Sequence, residues 1–225
     1  MTGDPWGRTL AKLPDIARGL LVGAVTTLQV TTGALAVAIV LGIIFAVLKT
    51  APSRPLRALA TAYVEVFRAV PVLTQLFVIY FGLAGIGIKL NPLPAAIVGF
   101  GINGGAYLTE VFRAGIEAIH QGQLEGAFSI GMTRPMAMWY IILPQAVRVV
   151  LPPIGNFAIG LLKDTSIASA VAAPELMFRA RSLVEATFLS TQIYLMVALL
   201  YLAMSLPLSR AVRHLEAAMG RGHQA

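Results

Sequence analysis

At 225 residues, with 57% hydrophobic and only 12% charged side chains, the chain carries about half the charge of an ordinary soluble domain, and a bilayer is the solvent that suits it. Its 17 Lys and Arg against 10 Asp and Glu give a formal +7; with no aromatic–basic RNA motif and no Cys/His finger, the excess reads as basic loops at a membrane surface, and no nucleic acid partner is expected. There is no cysteine, which excludes disulfides, thiolate metal sites and iron–sulfur clusters.

The chain opens with Arg8, Lys12 and Arg18 among Pro5 and Pro14, read as an N-terminal tail through residue 18. The apolar run behind it is too long for the core of a signal peptide, so no cleavable leader is expected. A membrane-crossing helix needs about 20 mostly apolar residues. The first candidate covers about 20–48 and is stopped by Lys49 and the breakers Pro52 and Pro55. The second, about 56–83, is a long helix kinked at Pro71. Three more follow at about 93–112, 146–162 and 188–208, with a C-terminal tail from 215. The fold class is therefore an all-α membrane protein with five transmembrane helices, its termini on opposite faces.

Loop charge orients it. Lys49, Arg54 and Arg57 follow span one; Arg113, Arg134 and Arg148 follow span three; Arg210, Arg213 and Arg221 follow span five. Only Lys89 lies between spans two and three. The basic loops belong inside, which puts the N-terminus outside and the C-terminus in the cytoplasm, although the basic N-terminal tail and Arg179 with Arg181 pull the other way. A short echo, Glu65-Val66-Phe67-Arg68-Ala69 and Glu110-Val111-Phe112-Arg113-Ala114, places two Glu/Arg pairs at helical spacing near the inner interface. Ala34, Ala38 and Gly42, and Gly101 and Gly105, are small residues four apart that permit close helix contact in lipid.

Between spans three and four the pattern changes. Ile116, Ile119, Leu124, Ala127 and Phe128 share an apolar face at helical spacing, while His120, Gln121, Gln123, Glu125 and Ser129 fill the rest. This is a short amphipathic helix, too polar to span. Gly131 suits the left-handed residue that ends it. Thr133 and Pro135 suit the start of the next helix, which Pro144 then interrupts. The product is an elbow. A helix lying on lipid would show Lys and Arg on its polar face; this one shows Gln, Glu and His, which a protein partner explains better.

Glu125-Gly126-Ala127, three residues, Gly131, nine residues, Ile141, one residue, then Leu143-Pro144 resembles the "EAA" signature of ABC importer permeases, with Gly126 in place of the middle alanine. Thr26-Thr27-Leu28, Tyr63 to Arg68 with Pro71, Gln75-Leu76, Gly105-Ala106-Tyr107, Glu110 to Arg113, Gly122-Gln123, Leu143 to Ala146 and Leu162 to Ser166 are similar to the polar amino acid uptake permeases. The resemblance covers about residues 19–214 and implies a type I ABC importer transmembrane domain, with a cytoplasmic coupling elbow at about 115–145. It implies an ATPase dimer gripped by Gln123, Glu125, Gly126, Ala127, Gly131, Leu143 and Pro144. It also implies a second permease subunit, identical or homologous, an extracytoplasmic solute-binding protein, a polar amino acid as substrate, and no cofactor.

No G-x-x-x-x-G-K-[ST] loop is present to cradle ATP phosphates, and no nucleophile elbow. His120, His214 and His223 have no metal-ligand spacing, so the chain is read as non-catalytic and without a metal. A zwitterion cannot cross hydrocarbon unpaired, so polar residues inside the spans are candidates for its path: Thr26, Thr27, Gln29, Gln75, Asn103, Tyr107 and Asn156. The threonines often bond back to their own helix instead. Pro152-Pro153 frees carbonyls before Asn156, and Lys163 follows Asn156 by two helical turns, so both can face one cavity. By resemblance, Asn156 and Lys163 line the route or its gate. A stand-alone secondary transporter would show paired repeats and intramembrane carboxylates, and a lipid-modifying enzyme would show clustered acids or histidines at the interface. The five-residue echo and the scattered Glu65, Glu110 and Asp164 favour neither.

Overall fold

A computed structural model describes residues 5–220, and every regular element in them is helical. Arg221 and His223 lie outside the described residues. The first helix, α1 (Pro5–Thr50), has 46 residues. At 1.5 Å per residue it is about 69 Å long, more than twice a hydrocarbon core. The expected tail is thus helical and continuous with the first span, and Pro14 is accommodated within it. Burial explains the extension: Ile16 and Leu20 pack with Leu176, Ala180, Leu189 and Ile193 from the far part of the chain.

The central seam joins α1 to α5 (Pro92–Glu117). Ala34 and Ala38 are fully buried. A Cβ on Gly101 would lie 2.5 Å from Val37 Cγ1, and one on Gly42 would lie 2.8 Å from Leu108 Cβ. Side chains are missing where the two backbones meet, as close packing in lipid requires. Residue numbers rise together along the seam, so α1 and α5 run parallel.

Parallel neighbours need a return segment between them. It is built from α2 (Arg54–Ala69), then α3 (Val72–Phe77), which continues through a π-helical turn (Val78–Gly82) into α4 (Leu83–Gly85). The expected single kinked helix is instead two pieces bent by 105° at Val70-Pro71. Proline removes a donor and forces its predecessor into extended backbone, leaving carbonyls bare. Side chains cover them: Gln75 Nε2 donates to Phe67 O at 2.8 Å and to Val70 O at 2.7 Å, and Asn103 Nδ2 donates to Phe67 O at 2.9 Å. This corrects the placement of the first echo copy. Glu65 to Ala69 ends α2 beside Asn103, about 10 Å along the α5 axis from Glu110, so the two copies do not lie at one depth. Among the described residues only the second copy forms its pair, Arg113 with Glu110 at 2.9 Å, and Lys49 from the end of α1 joins Glu110.

After α5 come α6 (Gln121–Ser129), α7 (Arg134–Ala137), a π-helical turn (Met138–Ile142) and α8 (Leu143–Asp164). Pro144 was expected to interrupt this helix and does not. The Leu143 N–H reaches back five residues to Met138 O, and the widened turn accommodates the proline ring. A Cβ on Gly115 would lie 2.1 Å from Val150 Cγ1, and one on Gly104 2.6 Å from Phe157 Cζ, so α8 runs antiparallel to α5. A 3-10 segment (Thr165–Val171) leads to α9 (Leu176–Thr187), and α10 (Ser190–Gly220) packs along α8, with Val212 against Gly155. Four helices are long and apolar enough to cross a membrane, or five when the bent α2–α4 segment counts as one span.

Candidate functional site

The elbow is closed at both ends by its own residues. His120 caps α6, its Nδ1 accepting the Gly122 N–H at 3.1 Å. At the other end Gly131 takes φ +80°, the Gly131 N–H bonds Phe128 O and the Met132 N–H bonds Ala127 O, each at 3.0 Å. These paired 5→2 and 6→1 bonds form a Schellman turn, which requires a left-handed residue at that position. Ala127 is the buried residue of α6. Glu125 and Gly126 face outward, and nothing lies within 4 Å of a Cβ placed on Gly126. Gln145 Nε2 donates to Ile141 O at 2.8 Å and reaches Gln123 Oε1 at 3.4 Å, tying α6 to the base of α8. Leu143 is half-buried and Pro144 exposed at that base.

Two expectations for the elbow change. The helix α5 runs on to Glu117, so Ile116 does not share a helix with Ala127, and Phe128 turns outward at 43% exposure. Ile130, Trp139 and Tyr140, each at least 70% exposed, follow it along the elbow. Large exposed apolar side chains at such a place suit contact with a partner chain or with lipid. Sequence reading passed over Trp139 and Tyr140 because an apolar run beside a span reads as more span.

The expected route residues separate into two groups. Tyr107, 46% exposed, stacks on Phe157 with ring centres 5.3 Å apart and lines a cleft of about 440 Å³ with Arg68, Glu110, Val150 and Pro153. Asn156 is exposed and donates to Glu216 Oε1 at 3.4 Å. Lys163, two turns further on, is exposed beside Asp164, and neither Asn156 nor Lys163 lines the Tyr107 cleft. The other group is hydrogen-bonded within the protein. Thr26 donates to Val22 O in its own helix, and Gln75 and Asn103 cover the α2–α3 break. Thr27 is fully buried and accepts the Leu176 N–H at 3.2 Å.

That last bond leads to a residue sequence reading missed. Glu175 is 0% exposed and caps α9, its two oxygens accepting the N–H groups of Phe178 at 2.7 Å and Met177 at 2.8 Å. Tyr201 Oη donates to the same carboxyl at 3.2 Å. Burial pushes the Glu175 carboxyl above the ordinary glutamate value, and the two backbone N–H groups, Tyr201 and Arg181 oppose that rise. The capping position, acidic and just before an apolar helix, was its only sequence signal.

Residues 38–221 match the family described as binding-protein-dependent transport system inner membrane component. The chain is 42% identical to the probable glutamine ABC transporter permease protein GlnM of Bacillus subtilis (strain 168), over 84% of this chain and 88% of that one. It is 34% identical to the glutamine transport system permease protein GlnP of Escherichia coli (strain K12), over 89% and 92%. Among solved structures it superposes with TM-score 0.88 on a crystal structure of an amino acid ABC transporter with histidines, 33% identical, covering 97% of this chain and all of that one. The fold alone is shared with an inward-facing MetNI methionine ABC transporter, at TM-score 0.63 and 18% identity, over 89% of this chain and 95% of that one. The chain belongs to the family of binding-protein-dependent transport system inner membrane components, the permeases of ABC transporters, with amino-acid permeases as its relatives.

Proposed function

We propose that the chain is the membrane subunit of an ATP-driven importer of polar amino acids, and that its elbow is where a separate ATPase transmits force. The observation that carries this is the elbow itself: a capped, Schellman-closed helix with Glu125 and Gly126 outward, flanked by the exposed Phe128, Ile130, Trp139 and Tyr140. Family membership implies ATPase and binding-protein partners. In this reading the elbow end is cytoplasmic and holds Gln123, Glu125, Gly126, Ala127, Gly131, Leu143 and Pro144 against one ATPase subunit. A second permease, identical or homologous, presents the same surface to the other. A solute-binding protein delivers substrate at the opposite face, near Lys163, Asp164 and α9, and Tyr107 faces its path. Thr26, Thr27 and Gln75 serve the scaffold rather than the substrate.

Coupling requires ATP binding to favour one arrangement of the elbow pair over the other, since a ligand without differential affinity shifts nothing. Hydrolysis occurs on the partner, and this chain contributes the path and the handle. The relatives named for glutamine make L-glutamine the first substrate to test. In vesicles holding the permease, its ATPase and its binding protein, labelled L-glutamine or another polar amino acid should accumulate with ATP and be indifferent to an uncoupler. Accumulation that outlasts ATP removal and collapses with the uncoupler would mark a secondary transporter instead.

A further inference from the structure

A cavity of about 670 Å³ opens at the elbow end, walled by His120 and Gln123 at the start of the elbow, Gln145 and Arg148 on α8, and Glu216 near the end of α10. It adjoins the cleft under Tyr107, sharing Ala118 and Val149 with it but neither Arg68 nor Glu110, and its size lies within the range of small-molecule sites. It carries two opposite charges. Arg148 and Glu216 make no ion pair among the described residues, with each other or with a third group. Glu216 accepts a long bond, 3.4 Å, from Asn156.

A facing Arg and Glu that remain apart across a cavity suit a molecule bearing both charges. The Arg148 fork matches a carboxylate, and Glu216 an ammonium group. Pro152 also lines this space, and its missing N–H removes the ordinary helical donor from the Arg148 carbonyl. The Nδ1 of His120 accepts from Gly122, which leaves Nε2 as the ring's donor. A phosphate would meet one cation and a repelling carboxylate, and a metal ion would meet one carboxylate and a repelling guanidinium. A free amino acid satisfies both charges.

We infer that this vestibule is a second amino acid site, open to the cytoplasm, whose occupancy brakes turnover. The inference rests on the importer reading above and on the elbow being cytoplasmic. The braking follows from position. The cavity wall is shared by the elbow, α8 and α10, so a bound zwitterion ties them together and is lost if the elbow moves. It therefore binds one state more tightly and holds the assembly there.

The test uses the complete permease–ATPase assembly in nanodiscs, without binding protein, and an equimolar mixture of the standard L-amino acids as probe. ATP turnover should fall about five-fold with the mixture, the low end of ordinary allosteric coupling. The same mixture with blocked α-amino groups should leave turnover unchanged. Arg148→Gln and Glu216→Gln, both at exposed positions, should each abolish the inhibition, while Arg148→Lys should retain part of it. Wild-type turnover indifferent to the mixture would overturn the proposal. So would inhibition that persists in both Gln variants, which would place the amino acid in the transport route. ATP-dependent uptake in the vesicle assay without inhibition here would sink this inference alone, whereas absence of any ATP-dependent uptake would remove the importer reading beneath it.

Discussion

At Gly131 the backbone, not the neighbourhood, excludes other residues: φ is +80° and no atom lies within 4 Å of an added Cβ. A side chain there costs about 1–2 kcal/mol through backbone strain, more when β-branched. Gly131→Val should therefore release the ATPase in a pull-down while the spans still insert, and Gly131→Ala should weaken capture less. Full capture by the valine variant would show that the Schellman turn does not set the docking geometry. Glu175 poses the opposite problem, since its burial and its bond from Tyr201 depend on distant parts of the chain. It sits between the spans, and its raised pKa means that the folded state takes up the proton more readily than the unfolded one. Its stabilising contribution is thus full below the ordinary value of 4.5 and is lost as pH rises through the folded value. Detergent-solubilised protein should accordingly gain thermal stability from this group on acidification from neutral pH, and Glu175→Gln should flatten that part of the profile. A variant with the wild-type slope would assign the pH dependence to another group. Gly131 was legible in the sequence because its requirement is local; Glu175 was not, because burial against Tyr201 and the neighbouring Thr27–Leu176 bond are tertiary facts.

Among the elements, α5, α8 and α10 were legible because hydropathy and length suffice to find a span, and the amphipathic α6 was legible from its polar face. What escaped was how segments bend. Pro71 announces a break, but its 105° angle is held by Gln75 and by Asn103, which is 36 residues away from the Phe67 carbonyl it covers. Pro144 announces a break that does not occur, because the π-helical turn takes up the ring. The helix α9 was missed because its apolar face is short and its cap is a glutamate. The α2–α3 corner is therefore a place where side-chain hydrogen bonds, not backbone, hold the path. Gln75→Leu keeps the volume but strips donors from Phe67 O and Val70 O, and Val70 O has no second side-chain donor among the described residues. A fully buried bare carbonyl costs about 1–3 kcal/mol, and these two, in a part-buried setting, cost less each. The variant should unfold earlier on heating in detergent, whereas Asn103→Ala should cost less, since Phe67 O keeps its bond to Gln75. Equal melting of wild type and Gln75→Leu would mean that water replaces the amide at the corner.

For the whole molecule, helix direction ties together every statement about sides. Because α1 and α5 run parallel and α8 runs against them, the α1–α2 turn, the elbow and the end of α10 share one end of the bundle. The loop carrying Lys89 and the helix α9 share the other. The elbow end gathers Lys49, Arg57, Arg113 and Arg134, which the positive-inside rule assigns to the cytoplasm, while Lys12 and Arg18 near the start of α1 and Arg179 and Arg181 on α9 oppose that assignment. Charge counting is therefore outvoted only if the bundle is inverted as a unit. The chain has no cysteine, so single replacements report cleanly. Lys89→Cys and Gln121→Cys lie at exposed positions at opposite ends. In intact cells a membrane-impermeant maleimide should label the Lys89 variant, and should label the Gln121 variant only after permeabilisation. The reverse pattern would turn Gly131, Trp139 and Tyr140 toward the outside, where no ATPase can reach them. It would also empty the Arg148–Glu216 vestibule of its cytoplasmic meaning, so this one measurement bears on both the handle and the brake.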